Sequence, residues 1–278
     1  MTKQPRSISS LVSASVLFGA LAGTALYAIS DKAGIFPQPA NAQEVALGEE
    51  EVRRLVRDEI AKNPRLLLDT IESYMREQQA AESRKADEQV ISRKAEFSEN
   101  EARPYLGNPE GSVEIVYFFD VNCGYCKRLE PSLKRLLEEN RDVRIAMREM
   151  PILAPSSHYG AMIEGLVWKR RPDVYAVLHE SLMSHQGSLT DDDIRAKLVE
   201  AVGEDDARAI LSDLDLDNSE LGRDVNNRIQ ENLALARLSG ISGTPFVYVL
   251  QGDGLMRGAG ADAYEQLSAL VEKARSAR

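Results

Sequence analysis

The chain has 278 residues, 43% of them hydrophobic and 28% charged, with a formal net charge of −10. That is the balance of a soluble globular protein, long enough for one ordinary domain with accessory elements or for two small ones. The acidity argues against nucleic acid as a partner, since phosphate binding needs clustered Lys and Arg, and two cysteines are too few for a scaffold held by several disulfides.

Lys3 and Arg6 precede Ile8 to Ile29, 22 residues without a charge. That length can span a bilayer with its positive flank in the cytoplasm. Ala40-Asn41-Ala42 before Gln43 has the small-residue form of a signal-peptidase site. Residues 1–42 are therefore expected to be either a signal peptide cleaved near Ala42 or a membrane anchor through residues 8–29. Both place residues 43–278 outside the inner membrane, in the periplasm of a bacterial host.

Residues 43–100 read as a helical region, broken at Asn63-Pro64. Glu49, Glu50 and Glu51 suit a first turn. Val52, Leu55, Val56 and Ile60, then Leu67, Leu68, Ile71 and Met75, form apolar stripes at helical spacing. Asn63 is an N-cap candidate and Pro64 fits a first helical position. Residues 76–96 are mostly Glu, Gln, Arg, Lys and Ala, with little to bury. Short amphipathic helices cannot form a core alone. They either fold back on the main domain or associate with other copies; the second is expected here, as a homo-oligomer.

The catalytic domain is expected over 101–278. Val113 to Phe119 is a β-branched and aromatic run that predicts a buried strand. After a short loop come Cys123-Gly124-Tyr125-Cys126 and a helix marked by Leu129, Leu133, Leu136 and Leu137, which Pro131 should kink. A second strand follows at Val143 to Arg148. A Cys-x-x-Cys at a helix start inside a βαβ unit reads as a redox pair. The thiolate is the reactive species, and a helix N-terminus stabilises it. Cys123, at the exposed end, is expected to be the nucleophile; Cys126, one turn inside, is expected to resolve the mixed disulfide. Half a zinc site would need two further ligands, and His158, His179 and His185 lack the spacing for them. They read as ordinary surface or core residues, and no metal or organic cofactor is expected.

Gly243-Thr244-Pro245 stands before a second apolar run, Phe246 to Val249. A proline directly before a buried strand is unusual without a purpose. With the strand, the Cys-x-x-Cys and Pro131, this element resembles the thioredoxin superfamily, in which a cis-proline loop faces the cysteines. The resemblance implies that Thr244 and Pro245 bind substrate backbone. Gly252-Asp253-Gly254 predicts a hairpin turn, and Ala263 to about Ala274 a closing helix.

Between the second strand and Thr244 lies a helical insert, about 152–239. Thr190 with Asp193 has the form of a capping box, Gly203 ends that helix, and Asn218 is expected to cap a long helix ending before Gly240. Trp168, with Leu166, Val167 and Val177, reads as insert core. The insert and Phe118-Phe119-Asp120…Cys123-Gly124-Tyr125-Cys126-Lys127-Arg128 resemble the DsbA family. The preceding helices make the chain similar to the ScsC group, which joins an oligomerising segment to a DsbA-like domain and includes trimeric isomerases. The implied fold is α/β, a thioredoxin fold with a helical insertion behind an N-terminal helical stalk. The implied partners are exported proteins with cysteines, a membrane thiol–disulfide redox partner and further copies of the chain, a trimer.

Gly124, Tyr125 and Thr244 look like the isomerase type, since Tyr125 supports a thiolate less than a histidine would. Many thioredoxin-fold enzymes carry a buried acid six residues before the first cysteine. Here that position is Tyr117, with Glu114 and Asp120 out of register. The expected activity is a disulfide isomerase or reductase. A DsbA-type oxidase and a chaperone or copper-binding protein using the thiols as soft ligands are the alternatives.

Overall fold

The computed structural model describes residues 48–98, 103–258 and 260–277. The expected apolar segment 8–29 and the cleavage position near Ala42 lie outside them. Among the described residues no helix is long and apolar enough to cross a membrane. The chain divides into two units, one ending at Ile71 and one running from Glu72 to Arg278.

In the first unit, α1 (Glu49–Lys62) carries three acidic residues in its first turn and Lys62 in its last, matching the helix dipole at both ends. It has no buried residue; Val52, Leu55 and Val56 are all exposed. Asn63 closes α1 rather than capping the next helix by its side chain: its N–H donates to Glu59 O and its amide to Glu59 Oε1. Pro64 then starts α2 (Pro64–Ser92), as its fixed φ favours. Leu66, Leu67, Leu68 and Ile71 remain exposed on it.

The second unit is built on a mixed five-stranded sheet in the order β1-β3-β2-β4-β5. Its strands are β1 (Tyr105–Gly107), β2 (Val113–Phe119), β3 (Val143–Glu149), β4 (Phe246–Val249) and β5 (Gly254–Arg257). β2 and β3 are parallel, joined through α4 (Gly124–Glu139), and the other pairings are antiparallel. β2 is covered on both faces, which explains its unbroken apolar run. Val113, Ile115, Tyr117 and Phe119 enter one core with Leu129, Leu133 and Leu136 of α4 and with the closing helix α10 (Ala263–Ser276). Val116 and Phe118 face a second core with Tyr248 and Phe246.

That second core also takes in Val90 of α2 and Phe97 of the short helix α3 (Lys94–Ser98). Both are fully buried, and Phe97 stands edge-on to Phe118 and Tyr248. The buried Arg148 donates to the Phe97 and Glu96 carbonyls at 2.9 and 3.2 Å. The polar tract 76–96 therefore has more to bury than its composition indicates, and packing of this unit reaches back before residue 101.

The insert comprises α5 (Pro155–Arg170), a 3-10 turn at Pro172–Val174, α6 (Tyr175–Met183), α7 (Asp191–Val202), α8 (Glu204–Ser212) and α9 (Glu220–Leu238). Thr190 and Asp193 form the expected capping box. The cap of α9 is Ser219, whose hydroxyl accepts from Gly222 N, one residue past Asn218. Trp168 sits edge-on between Tyr105 and Tyr175, but Val177 is exposed and takes no part in that core.

Candidate active site

α4 begins beyond the C-terminal end of β2, so the first helical turn lies at the sheet's edge, where a parallel αβ unit presents its ligand-facing groups. Cys123 is the N-cap, extended at φ −78° and ψ 109°, and its sulfur accepts the Cys126 N–H at 3.2 Å. Both cysteines are free thiols. Hydrogen bonding from Cys126 dominates over burial and, with Thr244 and the first-turn amides, lowers the Cys123 thiol to about 6. Cys126 moves the opposite way, raised strongly by burial and then by Cys123 beside it. The geometry thus separates an ionised sulfur from a protonated one within a single turn. Cys123 is only 3% exposed, which corrects the expectation of an open thiol: the Thr244 carbonyl oxygen lies 3.3 Å from its sulfur, accepts from the thiol in its protonated form, and covers it.

Thr244 and Pro245 are joined by a cis peptide bond and lead into β4. β4 pairs with β2 from Phe118↔Phe246 to Ile115↔Val249. This register carries the Thr244 carbonyl to the start of α4, so four of the expected site residues, Cys123, Cys126, Thr244 and Pro245, meet at one edge. Gly124 leaves that edge open: a β-carbon there would meet only the Arg128 guanidinium, at 3.8 Å. Tyr125 is exposed, with Arg128 over its ring at 4.1 Å. Ile152 and Leu153 are exposed in the following loop.

Three residues that spacing alone does not reveal hold this edge. The buried Asp120 carboxylate accepts the N–H groups of Asn122, Ile152 and Leu153 at 2.8, 2.8 and 3.0 Å. Asn122 donates to Ser156 and Ser157 and accepts from Leu189 N. Lys127 donates to the Gly187 carbonyl. The insert and the cysteine loop are thereby one bonded assembly.

Behind Cys126, the position of the usual acid is filled by the fully buried Tyr117, whose hydroxyl donates to Glu130 Oε1 at 3.2 Å. His179 is not simply a packing residue. It lies with Nδ1 2.6 Å from Glu164 Oε1 and Nε2 3.4 Å from Glu130 Oε1. Burial opposes its charge, yet Glu130 and Glu164 prevail and raise it to about 10. No group of three or more His, Cys, Asp or Glu among the described residues could hold a metal ion.

A five-stranded mixed sheet, a Cys-x-x-Cys at a helix N-terminus and a cis-proline loop facing it define a thioredoxin-fold dithiol protein. The thioredoxin family model matches residues 99–273, well over half of the chain, and the chain belongs to that family. Within it, the fold is DsbA-like. Proteus mirabilis ScsC, in a transitional conformation, is 29% identical over 85% of this chain and 99% of that one, with a TM-score of 0.58. The thiol-disulfide exchange protein alpha-DsbA2 from Wolbachia pipientis is 26% identical, covering 71% and 98%, at a TM-score of 0.59. A periplasmic thioredoxin-like protein from Salmonella enterica serovar Typhimurium is 29% identical, covering 67% and 97%, at 0.56. Curated relatives include a Na(+)/H(+) antiporter of Salinispora arenicola, 30% identical over 154 residues; the chain spans 21% of its length. By structure, the chain is similar to thiol–disulfide exchange proteins of the DsbA and ScsC kind.

Proposed function

We propose that the protein is a periplasmic disulfide isomerase or reductase acting on exported proteins. The observation that carries the exchange chemistry, common to this reading and to its oxidase alternative, is the Cys123 sulfur at the start of α4, accepting the Cys126 N–H and lying against the cis-proline loop at the Thr244 carbonyl. Cys123 attacks a substrate disulfide, a mixed disulfide forms, and one substrate sulfur leaves as a thiolate. Cys126 then attacks Cys123 and releases the second substrate sulfur, or the substrate's own thiol does so and rearranges the pairing. Thr244 and Pro245 offer backbone groups to an extended substrate strand, and Gly124 lets that strand approach. The chemistry belongs to the thiols and needs no organic cofactor.

The exposed stripe Val52, Leu55, Val56, Leu67 and Ile71 supports association of copies, in keeping with a trimer. The charge-flanked apolar segment at 8–29 supports export, and a membrane thiol–disulfide partner would set the redox state of the pair. One observation favours the oxidase direction: a thiol lowered to about 6 stabilises the dithiol form and makes its disulfide more oxidising.

The test is the resting state of Cys123 and Cys126 in cells, by acid quench, thiol alkylation and gel shift. A mostly reduced pair supports isomerase or reductase action; a mostly oxidised pair transfers the reading to an oxidase. Reactivation of a scrambled-disulfide substrate, abolished by Cys123→Ser, tests catalysis itself.

A further inference from the structure

We infer that Arg128, stacked on the exposed ring of Tyr125, selects substrate segments that carry an acidic side chain beside the reacting cysteine. This rests on the exchange reading above and adds the class of segment that the site prefers. The guanidinium lies over the Tyr125 ring, 4.1 Å from its centroid. It also stands 3.8 Å from where a β-carbon on Gly124 would be, so it covers the dipeptide that directly follows Cys123. Tyr125 is 57% exposed, and Arg128 is exposed with it. The cation thus sits on the outer surface of the first turn of α4, beside the sulfur to which a substrate bonds.

The other cations of α4 are already engaged. Lys127 donates to the Gly187 carbonyl, Lys134 pairs with Glu180, and Arg135 pairs with Glu139. Arg128 has no such partner among the described residues, and the sequence supplies none at helical spacing. Three and four positions away on either side stand Tyr125, Gly124, Pro131 and Ser132, none of them an acid. Stacking on an aromatic ring occupies the flat side of a guanidinium and leaves its N–H groups pointing outward in the plane. Those groups match a carboxylate, which they bind through two parallel hydrogen bonds. Ile152 and Leu153, exposed in the loop that Asp120 ties to this edge, are apolar, so discrimination by charge falls to Arg128. The net charge of −10 does not oppose this, since exposed charges more than about 8 Å away are largely screened at physiological salt.

Selection precedes the chemistry and leaves it unaltered. The Cys123 thiolate bonds to one sulfur of a substrate disulfide, the substrate S–S bond breaks, and the departing sulfur leaves as a thiolate that takes a proton from water. Arg128 transfers no proton in this step. It is a specificity-determining residue that holds the carboxylate of the segment under attack.

The experiment mixes the reduced full chain with symmetric disulfides of three peptides that differ only in the residues flanking cysteine: Glu, Gln or Lys on both sides. Rapid acid quench reads the rate of the first attack. Dividing each rate by that of 2-mercaptoethanol with the same peptide removes the peptide's own reactivity. The wild type should prefer the Glu peptide over the Lys peptide about 5-fold at low salt, the upper range for an exposed ion pair. The preference should fade at 1 M salt, where the screening length is about 3 Å. Arg128→Gln should abolish it and Arg128→Glu should invert it. Arg128→Lys keeps the charge without the stacked fork and should lower the preference, as should Tyr125→Leu, which removes the ring beneath the guanidinium. A Glu-to-Lys ratio that Arg128→Glu leaves unchanged overturns the assignment, as does a wild type without preference. A wild type that attacks none of the three peptides overturns the exchange reading itself, and the assignment with it.

Discussion

The Cys126 N–H donates to the Cys123 sulfur across 3.2 Å, so each cysteine helps decide the charge of the other. The backbone bond is the smaller part of that effect: the Cys126 side chain is the largest cause lowering the Cys123 thiol to about 6. Thiolate absorbance of Cys126→Ala should therefore titrate above about 6, closer to an ordinary thiol at about 8.5. An unchanged titration in this variant would assign the depression to the backbone amides instead.

The same depression links redox state to stability. The folded value of Cys123 lies below that of an unfolded thiol, about 8.5. Ionisation therefore stabilises the reduced fold fully above about 8.5, and the gain is lost as pH falls through about 6. Denaturant midpoints of the reduced protein should rise from pH 6 to 8.5 relative to those of Cys123→Ser. Parallel curves for the two proteins would contradict this.

Asp120 receives three backbone N–H groups in a buried setting. Asp120→Ala leaves those donors without their acceptor and should cost about 2–4 kcal/mol, with bonds to a charged group worth roughly 1.5–3 kcal/mol each before relaxation. Urea unfolding gives the number. Exchange activity should fall as well, because the 151–154 loop flanks the cysteines.

His179→Ala leaves the fully buried Glu164 without its cation. Breaking a buried pair from one side costs about 3–5 kcal/mol, so the variant should unfold well below the wild type in thermal denaturation. Phe97→Ala is expected to cost a similar amount, about 3–5 kcal/mol, by emptying the space between Phe118 and Tyr248.

Replacing Leu55, Leu67 and Ile71 by Glu should shift a chain beginning at Gln43 to the monomer in light scattering, with disulfide exchange on small substrates retained. If the unaltered chain from Gln43 is already monomeric, association through this region is wrong.

Periodicity located the main strands and helices because their cores are continuous along the chain: Val113 to Phe119 alternates between two buried faces, and Leu129, Leu133 and Leu136 follow one helical stripe. β1 is only three residues long, too short to carry a period. Val90 and Phe97 lie in or beside a mostly polar tract without a sustained apolar period, and they are buried in a cluster with Phe118, Phe246 and Tyr248, far along the chain. At the candidate site, the Cys-x-x-Cys and the Thr-Pro step are local signals. Glu130, Glu164 and His179 are not, since their meeting depends on how α4, α5 and α6 pack. Spacing marked Cys123 as the outer thiol but did not reveal its cover, which comes from a carbonyl 121 positions away.

That separation bears on how the protein acquires its reactivity. Cys123 is made early in synthesis, while its cover and the substrate-facing edge arrive only after β3, the whole insert and β4. Chains are made from the N-terminus at roughly 5–20 residues per second, and contacts of such long sequence range form late. The part of the Cys123 depression that comes from Cys126 and the first turn of α4 is local, whereas the covered, substrate-facing edge is a product of closing the β2–β4 pair. Maturation itself times the onset of exchange.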